Sequence, residues 1–94
     1  MAIVHGTVTV GTTPQILIKM PVGIPYTEVN IYNNDANAIY VGDETVSASA
    51  NGHQGFTIMK NVPYTMWMRS TDVLYAISAN GTTTGAVVFI YSDN

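Results

Sequence analysis

The sequence predicts an all-β protein, a small antiparallel β-sandwich of eight or nine short strands with no significant helix. Three observations predict this class. No stretch of a dozen residues spaces its apolar side chains at three and four, as an amphipathic helix requires. β-Branched and aromatic residues fill the candidate segments instead. Turn signals recur about every 8–12 residues, a spacing typical of sandwiches and barrels. We expect two packed sheets related to a jelly roll, with a small closed barrel as the alternative.

The first two predicted strands flank a proline-containing turn at residues 11–14. Ile3–Val10 alternates apolar and polar residues, so Val4, Val8 and Val10 are expected on the core face, opposite His5, Thr7 and Thr9. Residues 15–20 form the second strand, and Ile16, Ile18 and Met20 are expected to share one face. Residues 21–25 are too rich in proline for a central strand and are predicted to form a loop.

The clearest alternation of the chain lies in residues 26–33, where Thr27, Val29 and Ile31 face one way. Residues 33–37 form an Asn-rich turn, because Asn and Asp tolerate left-handed backbone. A short strand follows at residues 38–42. Residues 43–55 are the least regular, with a weak strand at 46–50 and a loop at 51–55. The remaining predicted strands are residues 56–60, residues 64–69, Val73–Ser78 and residues 86–91.

Two of the late strands are apolar on both faces. Tyr64, Met66 and Met68 lie on one side of the strand 64–69 and Trp67 on the other, while residues 86–91 contain no polar face. A small domain has one core to fill, so apolar side chains on a second face must contact another layer, another copy or a partner. We therefore predict an assembly protein. Its candidate interface residues are Tyr64, Met66, Trp67, Met68, Val87, Phe89 and Tyr91.

The composition supports this interpretation and excludes several functions. The 94 residues are expected to form one domain, 1–94. Charged residues make up 10% of the chain, against about 25% in an average soluble domain, so the surface is easily removed from water. Three basic residues and a net charge of −3 argue against nucleic-acid binding and membrane attachment. The chain has no cysteine for a disulfide or a thiolate site, and no secretion signal or membrane-spanning run. We expect a soluble protein made in a cytoplasm.

Catalysis and cofactor binding find little support in the sequence. His5 is expected on the polar face of its strand, and His53 in an exposed, glycine-flanked loop. No serine follows a nucleophile-elbow pattern, so we predict no enzyme activity. Asp43 and Glu44, with Asp35, are better explained as a solvated turn than as a cation site. We predict no metal and no cofactor, and a small enzyme or cupin-like metal protein is the least favoured hypothesis.

The aromatic residues have two interpretations. They are suited to stacking on sugar rings, as in a lectin-like site, and they are equally suited to packing within and between sheets. We favour packing. The residues concerned are Tyr26, Tyr32, Tyr40, Tyr64, Trp67, Tyr75 and Tyr91. Asn80-Gly81-Thr82 fits a glycosylation sequon, but without a secretion signal Asn-Gly is better read as a turn dipeptide.

Several segments together resemble a known group of proteins. The pattern is an Asn-led turn, a strand ending in Tyr-Val-Gly, a small-residue stretch to Asn-Gly and a later Leu-Tyr-Ala-Ile strand. It occupies residues 7–12, 33–42, 43–52 and 74–79. This arrangement resembles small proteins encoded beside the capsid genes of tailed bacteriophages, which include head decoration or cement proteins and the bases of capsid fibres. One departure is His53-Gln54-Gly55, which follows Gly52 where the group has a simple apolar strand.

The resemblance implies a β-rich protein, typically trimeric, that binds the outside of the mature capsid. The expected function is therefore that of a capsid decoration protein that bridges neighbouring subunits of the head. Its expected partners are the major capsid protein and further copies of itself, as a homotrimer on the capsid exterior of the virion. The alternative is a carbohydrate- or receptor-binding module of a virion fibre, for which a host-surface glycan would be the ligand.

Overall fold

The computed structural model describes residues 3–34, 37–49, 52–79 and 83–92, with the backbone alone for residues 83–86. These residues form eight strands and no helix. The strands are β1 (Ile3–Val10), β2 (Gln15–Lys19), β3 (Thr27–Asn33), β4 (Ile39–Gly42), β5 (Phe56–Ile58), β6 (Pro63–Met68), β7 (Val73–Ser78) and β8 (Thr83–Ser92). They are arranged in two four-stranded antiparallel sheets, with strand orders β1-β8-β3-β6 and β2-β7-β4-β5. The prediction of an all-β protein built from two antiparallel sheets is confirmed.

The strand pairs are nested within one another. β4 pairs with β5 at the centre of the chain, and β3 with β6, β2 with β7 and β1 with β8 follow outward in order. β8 also pairs with β3, and β7 with β4, which joins these pairs into the two sheets. The described strands therefore follow the course of one long hairpin whose successive pairs alternate between the sheets.

A hydrophobic core lies between the two sheets. Every second residue of β3 points into it, and Val29 and Ile31 are almost fully buried. This is the face that alternation predicts. The buried residues that form the core are Val10, Leu17, Ile18, Met20, Ile24, Val29, Ile31, Ile39, Val41, Ile58, Met68, Leu74, Ala76, Val87 and Tyr91.

A buried asparagine completes the inner face of β3. Asn33 is 0% exposed, and its Nδ2 donates hydrogen bonds to the carbonyl oxygens of Asn37 at 2.9 Å and Ile58 at 3.0 Å. An amide is stable in a core only when its polar atoms are paired. Asn33 therefore ties the end of β3 to β5 in the opposite sheet.

Two of the predicted elements differ from the structure. In β2 the pairing register shifts between Ile16 and Ile18, so Ile16 is exposed while Leu17 and Ile18 are both buried. A bulge adds one residue to a strand and so changes the face on which the following side chains lie. The predicted shared face of Ile16, Ile18 and Met20 is wrong at Ile16. The weak strand at 46–50 is also wrong: its described part makes one isolated bridge, between Ser47 and Gln54.

Candidate functional site

The solvent side of the β1-β8-β3-β6 sheet carries the candidate site, and we call it the outer face. The strand registers align its side chains in rows across all four strands. One row runs through His5, Ile90, Asn30 and Thr65, and the next through Thr7, Val88, Tyr32 and Pro63. Because alternate residues of a strand point to opposite sides, these residues lie opposite the core.

A shallow depression of about 380 Å³ lies at the middle of this face. Val88, Ile90 and Pro63 contribute apolar surface to it, and its polar rim includes His5 and Asn30. Ile90 is 46% exposed although it lies on a central strand. The depression is therefore an open, mainly apolar surface rather than an enclosed chamber.

The polar side chains beside the depression are already paired with one another. The Thr65 hydroxyl donates to Asn30 Oδ1 at 2.7 Å, and the Tyr32 hydroxyl donates to Asn61 Oδ1 at 2.9 Å. Polar groups that keep their hydrogen bonds lose less on removal from water. This region of the outer face can therefore be covered at low desolvation cost.

An aromatic pair projects next to the depression. The rings of Tyr26 and Trp67 stack with centroids 5.2 Å apart and an interplanar angle of 29°. Arg69 lies with its guanidinium carbon 5.7 Å from the centre of the Tyr26 ring, within the range of a cation–π contact. Tyr26 remains 60% exposed and Trp67 51% exposed. The pair therefore presents a large flat surface to solvent even though its two rings contact each other.

The position of Arg69 is fixed by the turn that follows β6. Its amide donates to Asp72 Oδ2 at 2.7 Å, and the Asp72 amide donates back to the Arg69 carbonyl at 3.1 Å. Thr71 in this turn has a φ of 67°, a value uncommon for a β-branched residue. The two hydrogen bonds hold this backbone and, with it, the end of β6 beside Tyr26.

The seven predicted interface residues occupy two different environments. Met68, Val87 and Tyr91 are buried in the core, and Tyr64, Met66 and Phe89 are partly buried against it. Trp67 points to the outer face, opposite Met66 and Met68, as the alternation of its strand predicts. Six of the seven side chains thus pack within the folded chain, and the available apolar surface of these strands is formed by Pro63, Trp67, Val88 and Ile90. Sequence reasoning missed the contributions of Val88 and Ile90, although both alternate with the core residues of β8.

A second polar cluster lies in the segment 43–55. Asp43 Oδ1 accepts hydrogen bonds from the Thr45 amide at 2.9 Å and the Thr45 hydroxyl at 2.6 Å, and His53 Nδ1 lies 3.3 Å from the same hydroxyl oxygen. The Thr45 donors lower the pKa of the Asp43 carboxyl, and the nearby His53 adds a smaller effect in the same direction. Since the hydroxyl donates to a carboxylate rather than to an imidazole, this is not the arrangement of an activated nucleophile. It is an Asx turn that organises the loop.

Val46 anchors this segment to the sandwich. It is buried, and a Cβ added to Gly55 would lie 2.5 Å from Val46 Cγ2 and 2.7 Å from the Val41 carbonyl oxygen. Only glycine fits at position 55. Within the segment His53-Gln54-Gly55, Gly55 is therefore closely packed where the chain returns to β5, while His53 and Gln54 are exposed.

The metal, glycosylation and membrane features considered from the sequence add nothing to the geometry of the candidate site. Among the residues that the structure describes, no three His, Cys, Asp or Glu side chains are grouped as metal ligands. Asp35 and the sequon Asn80-Gly81-Thr82 lie outside the described residues. Within the described ranges there is no helix long and apolar enough to cross a membrane. The chain matches no protein-family model, no curated protein and no solved structure.

Proposed function

We propose that this chain is a jelly-roll decoration protein of a tailed-bacteriophage head. It binds the outer surface of the assembled capsid and stabilises the lattice by bridging neighbouring subunits. The major capsid protein is its partner, and it acts as a homo-oligomer, with the trimer as the stoichiometry that the sequence resemblance implies. Its place is on the exterior of the virion.

The nested order of the strands supports the jelly-roll part of the proposal. Jelly rolls consist of eight strands in two packed sheets and recur in viral capsid and lectin domains. Here the chain pairs β1 with β8, β2 with β7, β3 with β6 and β4 with β5, and distributes these pairs over two four-stranded sheets. A fold alone does not determine function, so the argument for docking depends on the outer face.

The observation that carries the proposal is the exposed, weakly charged apolar surface of the outer face. Trp67, Tyr26 and Ile90 are each about half exposed or more. Glu28 lies opposite Trp67 in the strand register, and Arg69 lies over the Tyr26 ring. Trp, Tyr and Arg are the residues most enriched at the centres of protein interfaces. A contact that buries roughly 800 Å² per partner would cover about 15% of the 5244 Å² surface of the chain, which one face of the sandwich can supply.

The stabilising effect follows from selective binding. A protein that binds only the assembled, expanded lattice shifts the equilibrium toward that state by its difference in affinity for the two states. Each copy that contacts two capsid subunits adds its binding energy to their association. Repetition at many equivalent lattice points makes the total effect large even when one contact is modest.

Sedimentation with capsids tests the proposal. Purified chain is mixed with mature and with immature heads of the phage that encodes it, the heads are pelleted, and the bound chain is quantified. We expect saturable binding to mature heads and little to immature ones, together with a higher temperature of head disruption. Failure to pellet with either form would refute the proposal.

The exposed stacked rings of Tyr26 and Trp67 support one alternative, a carbohydrate-binding module of a virion fibre. Flat aromatic surfaces bind sugar rings, and the neighbouring Arg69 and Glu28 are suited to hydrogen bonding with hydroxyl groups. Trp67 is the single tryptophan, so quenching of its fluorescence by oligosaccharides reports binding directly. A glycan-array signal without capsid binding would favour this alternative over the decoration function.

A further inference from the structure

The four edge strands of the sandwich differ in how well they are protected. β5 is three residues long, β6 begins with Pro63, and β2 contains a register shift and ends at Lys19. Short edges, prolines, irregularities and lysines are the devices by which sheet proteins prevent unwanted strand pairing. β1 has a register shift only at its end, between Val8 and Val10, and along the six residues Ile3–Val8 it pairs regularly with β8 and contains no Pro, Lys, Arg, Asp or Glu.

The core face of β1 is also less covered than that of the central strands. Val4 and Val8 point inward but are only partly buried, whereas all the inward residues of β3 are buried. β3 has strands on both sides, while in the described part of the chain β1 has β8 on one side and no strand on the other. The two valines therefore leave apolar surface open at the edge of the sheet, where a further strand would cover it.

We propose that β1 is a self-association edge, at which two copies pair their β1 strands antiparallel about a twofold axis through Gly6. This goes beyond the proposed function and does not depend on it. The sheets of the two copies would join into one eight-stranded sheet. Such a contact links two chains, or one chain from each of two trimers.

The register follows from the alternation of the strand. Pairing must place core-facing residues opposite core-facing residues, because a shift by one residue would turn each valine to the solvent side. A centre at Gly6 sets Val4 of each copy opposite Val8 of the other, so the two partly buried valines cover each other. It also sets His5 opposite Thr7 on the outer face.

A second copy fits this edge better than a charged or irregular strand would. The facing residues of two β1 strands include no Asp, Glu, Lys or Arg, and neither strand presents a proline to the other. At the centre of the contact, Gly6 is covered on its core side by the Phe89 ring of its own chain, which would lie 2.7 Å from an added Cβ. The main chain of Gly6 thus remains supported where the two copies meet. Strand addition of this kind derives its affinity from main-chain hydrogen bonds.

Cysteine cross-linking tests both the contact and its register. The chain has no cysteine, so His5→Cys and Thr7→Cys each introduce one thiol at an exposed position. Each variant carries a single cysteine, and the two positions are about 6.8 Å apart along one strand, too far for a disulfide within a chain. Any disulfide therefore links two copies. Across the proposed twofold, position 5 of one copy lies directly opposite position 7 of the other, about 4.5–5.5 Å between Cβ atoms. Positions 5 and 5, or 7 and 7, are diagonal neighbours and more distant.

The two variants are purified, one of them with a mass tag, mixed in equal amounts and oxidised. We expect the mixed disulfide between positions 5 and 7 to form well above the one-half share that random collision gives, with both symmetric products depleted. Thr65→Cys, on the outward side of the protected edge β6, is the matched control. When it is mixed with either variant, its mixed disulfide should not exceed the one-half share of random collision. Equal urea midpoints of all three variants show that folding is unchanged.

A random ratio of products, or equal cross-linking at Thr65→Cys, would overturn the proposal. The oxidation is repeated with mature heads present, and a disulfide between His5→Cys and a capsid subunit, without the mixed product, would also overturn the proposal and identify β1 as a docking edge for a different protein. Neither result affects whether the chain binds mature heads, so failure of this inference is distinguishable from failure of the proposed function.

Discussion

Truncation of Trp67 separates binding from folding more sharply than other single changes of the outer face. Truncation of a fully buried tryptophan to alanine costs about 3–5 kcal/mol. Trp67 is 51% exposed, so that condition is not met. The variant should remain folded, and its main defect should be in binding.

The expected cost of folding follows from the half of the ring that is buried. A large aromatic side chain buries up to about 250 Å² when fully enclosed, so half burial corresponds to roughly 100–125 Å². At about 25 cal/mol per Å² this is roughly 2.5–3 kcal/mol, an upper bound because the unfolded chain already buries part of it. Reducing the burial contribution by roughly 10–40% for the compact unfolded chain and adding about 0.5–1.5 kcal/mol for the lost Tyr26 stacking gives a total of roughly 2–4 kcal/mol.

Phe56→Ala provides the matched control. Phe56 is 60% exposed and stacks on Tyr64 with centroids 4.9 Å apart at 28°, nearly the geometry of the Tyr26–Trp67 pair. It lies on β5 in the other sheet, away from the outer face.

Urea unfolding followed by far-UV circular dichroism should therefore show similar losses for both variants. Retention on mature capsids should fall by about 30-fold or more for Trp67→Ala alone, the effect of losing an interface hot spot. If Phe56→Ala weakens retention equally, or if Trp67→Ala retains full binding, the assignment of the outer face is wrong.

The remaining predictions concern stability. Gly55→Ala should lower the free energy of unfolding by about 1–3 kcal/mol, because the added Cβ would lie 2.7 Å from a main-chain oxygen of β4. The control Gly11→Ala, whose added Cβ has its nearest contact at 3.8 Å, should leave the melting temperature unchanged. Equal effects of the two substitutions would contradict this packing. Ile31→Ala should cost about 2–5 kcal/mol in urea unfolding because it empties a buried core position, and a loss under 1 kcal/mol, about the cost of a surface change, would remove Ile31 from the core. Since the pKa of Asp43 is lowered in the folded state, its stabilising effect is fully present above about 3.9, the ordinary value, and is lost as the pH falls through the lowered pKa. Protection of the Thr45 amide from exchange, relative to the intrinsic exchange rate at the same pH, should fall over that acid range. Asp43→Asn should show no such pH dependence, and an unchanged acid response in that variant would exclude Asp43 as its cause.

Alternation was sufficient to place most strands. β1 and β7 have the predicted bounds, and the inward residues of β3 are those that the period of two selects. Period two works here because each strand has one face on the core and one toward solvent. The same rule fails in β2, where the bulge between Ile16 and Ile18 changes the phase and no residue type announces it.

Tertiary contacts also decide features that local sequence does not specify. Asn33 reads as the start of a polar turn, and it is buried because Asn37 and Ile58 supply acceptors that only the folded chain brings near. The local sequence indicates a flexible loop at Gly55, but glycine is required at this position because Val46 packs against it. Both depend on contacts between segments distant from the local pattern, which a period of two does not encode.

The two-faced strands place apolar side chains on both sides of their sheet. In β8 the inward Val87, Phe89 and Tyr91 fill or border the core, while Val88 and Ile90 reach the outer face. The apolar surface that β6 and β8 leave exposed therefore lies on the outer face of their sheet. Pairing of β1 with another copy would use the main chain at the edge of that sheet and leave the outward side chains of β8, β3 and β6 uncovered. The proposed capsid docking through the outer face and the proposed self-association through β1 would therefore use different surfaces, so a single chain could make both contacts at once.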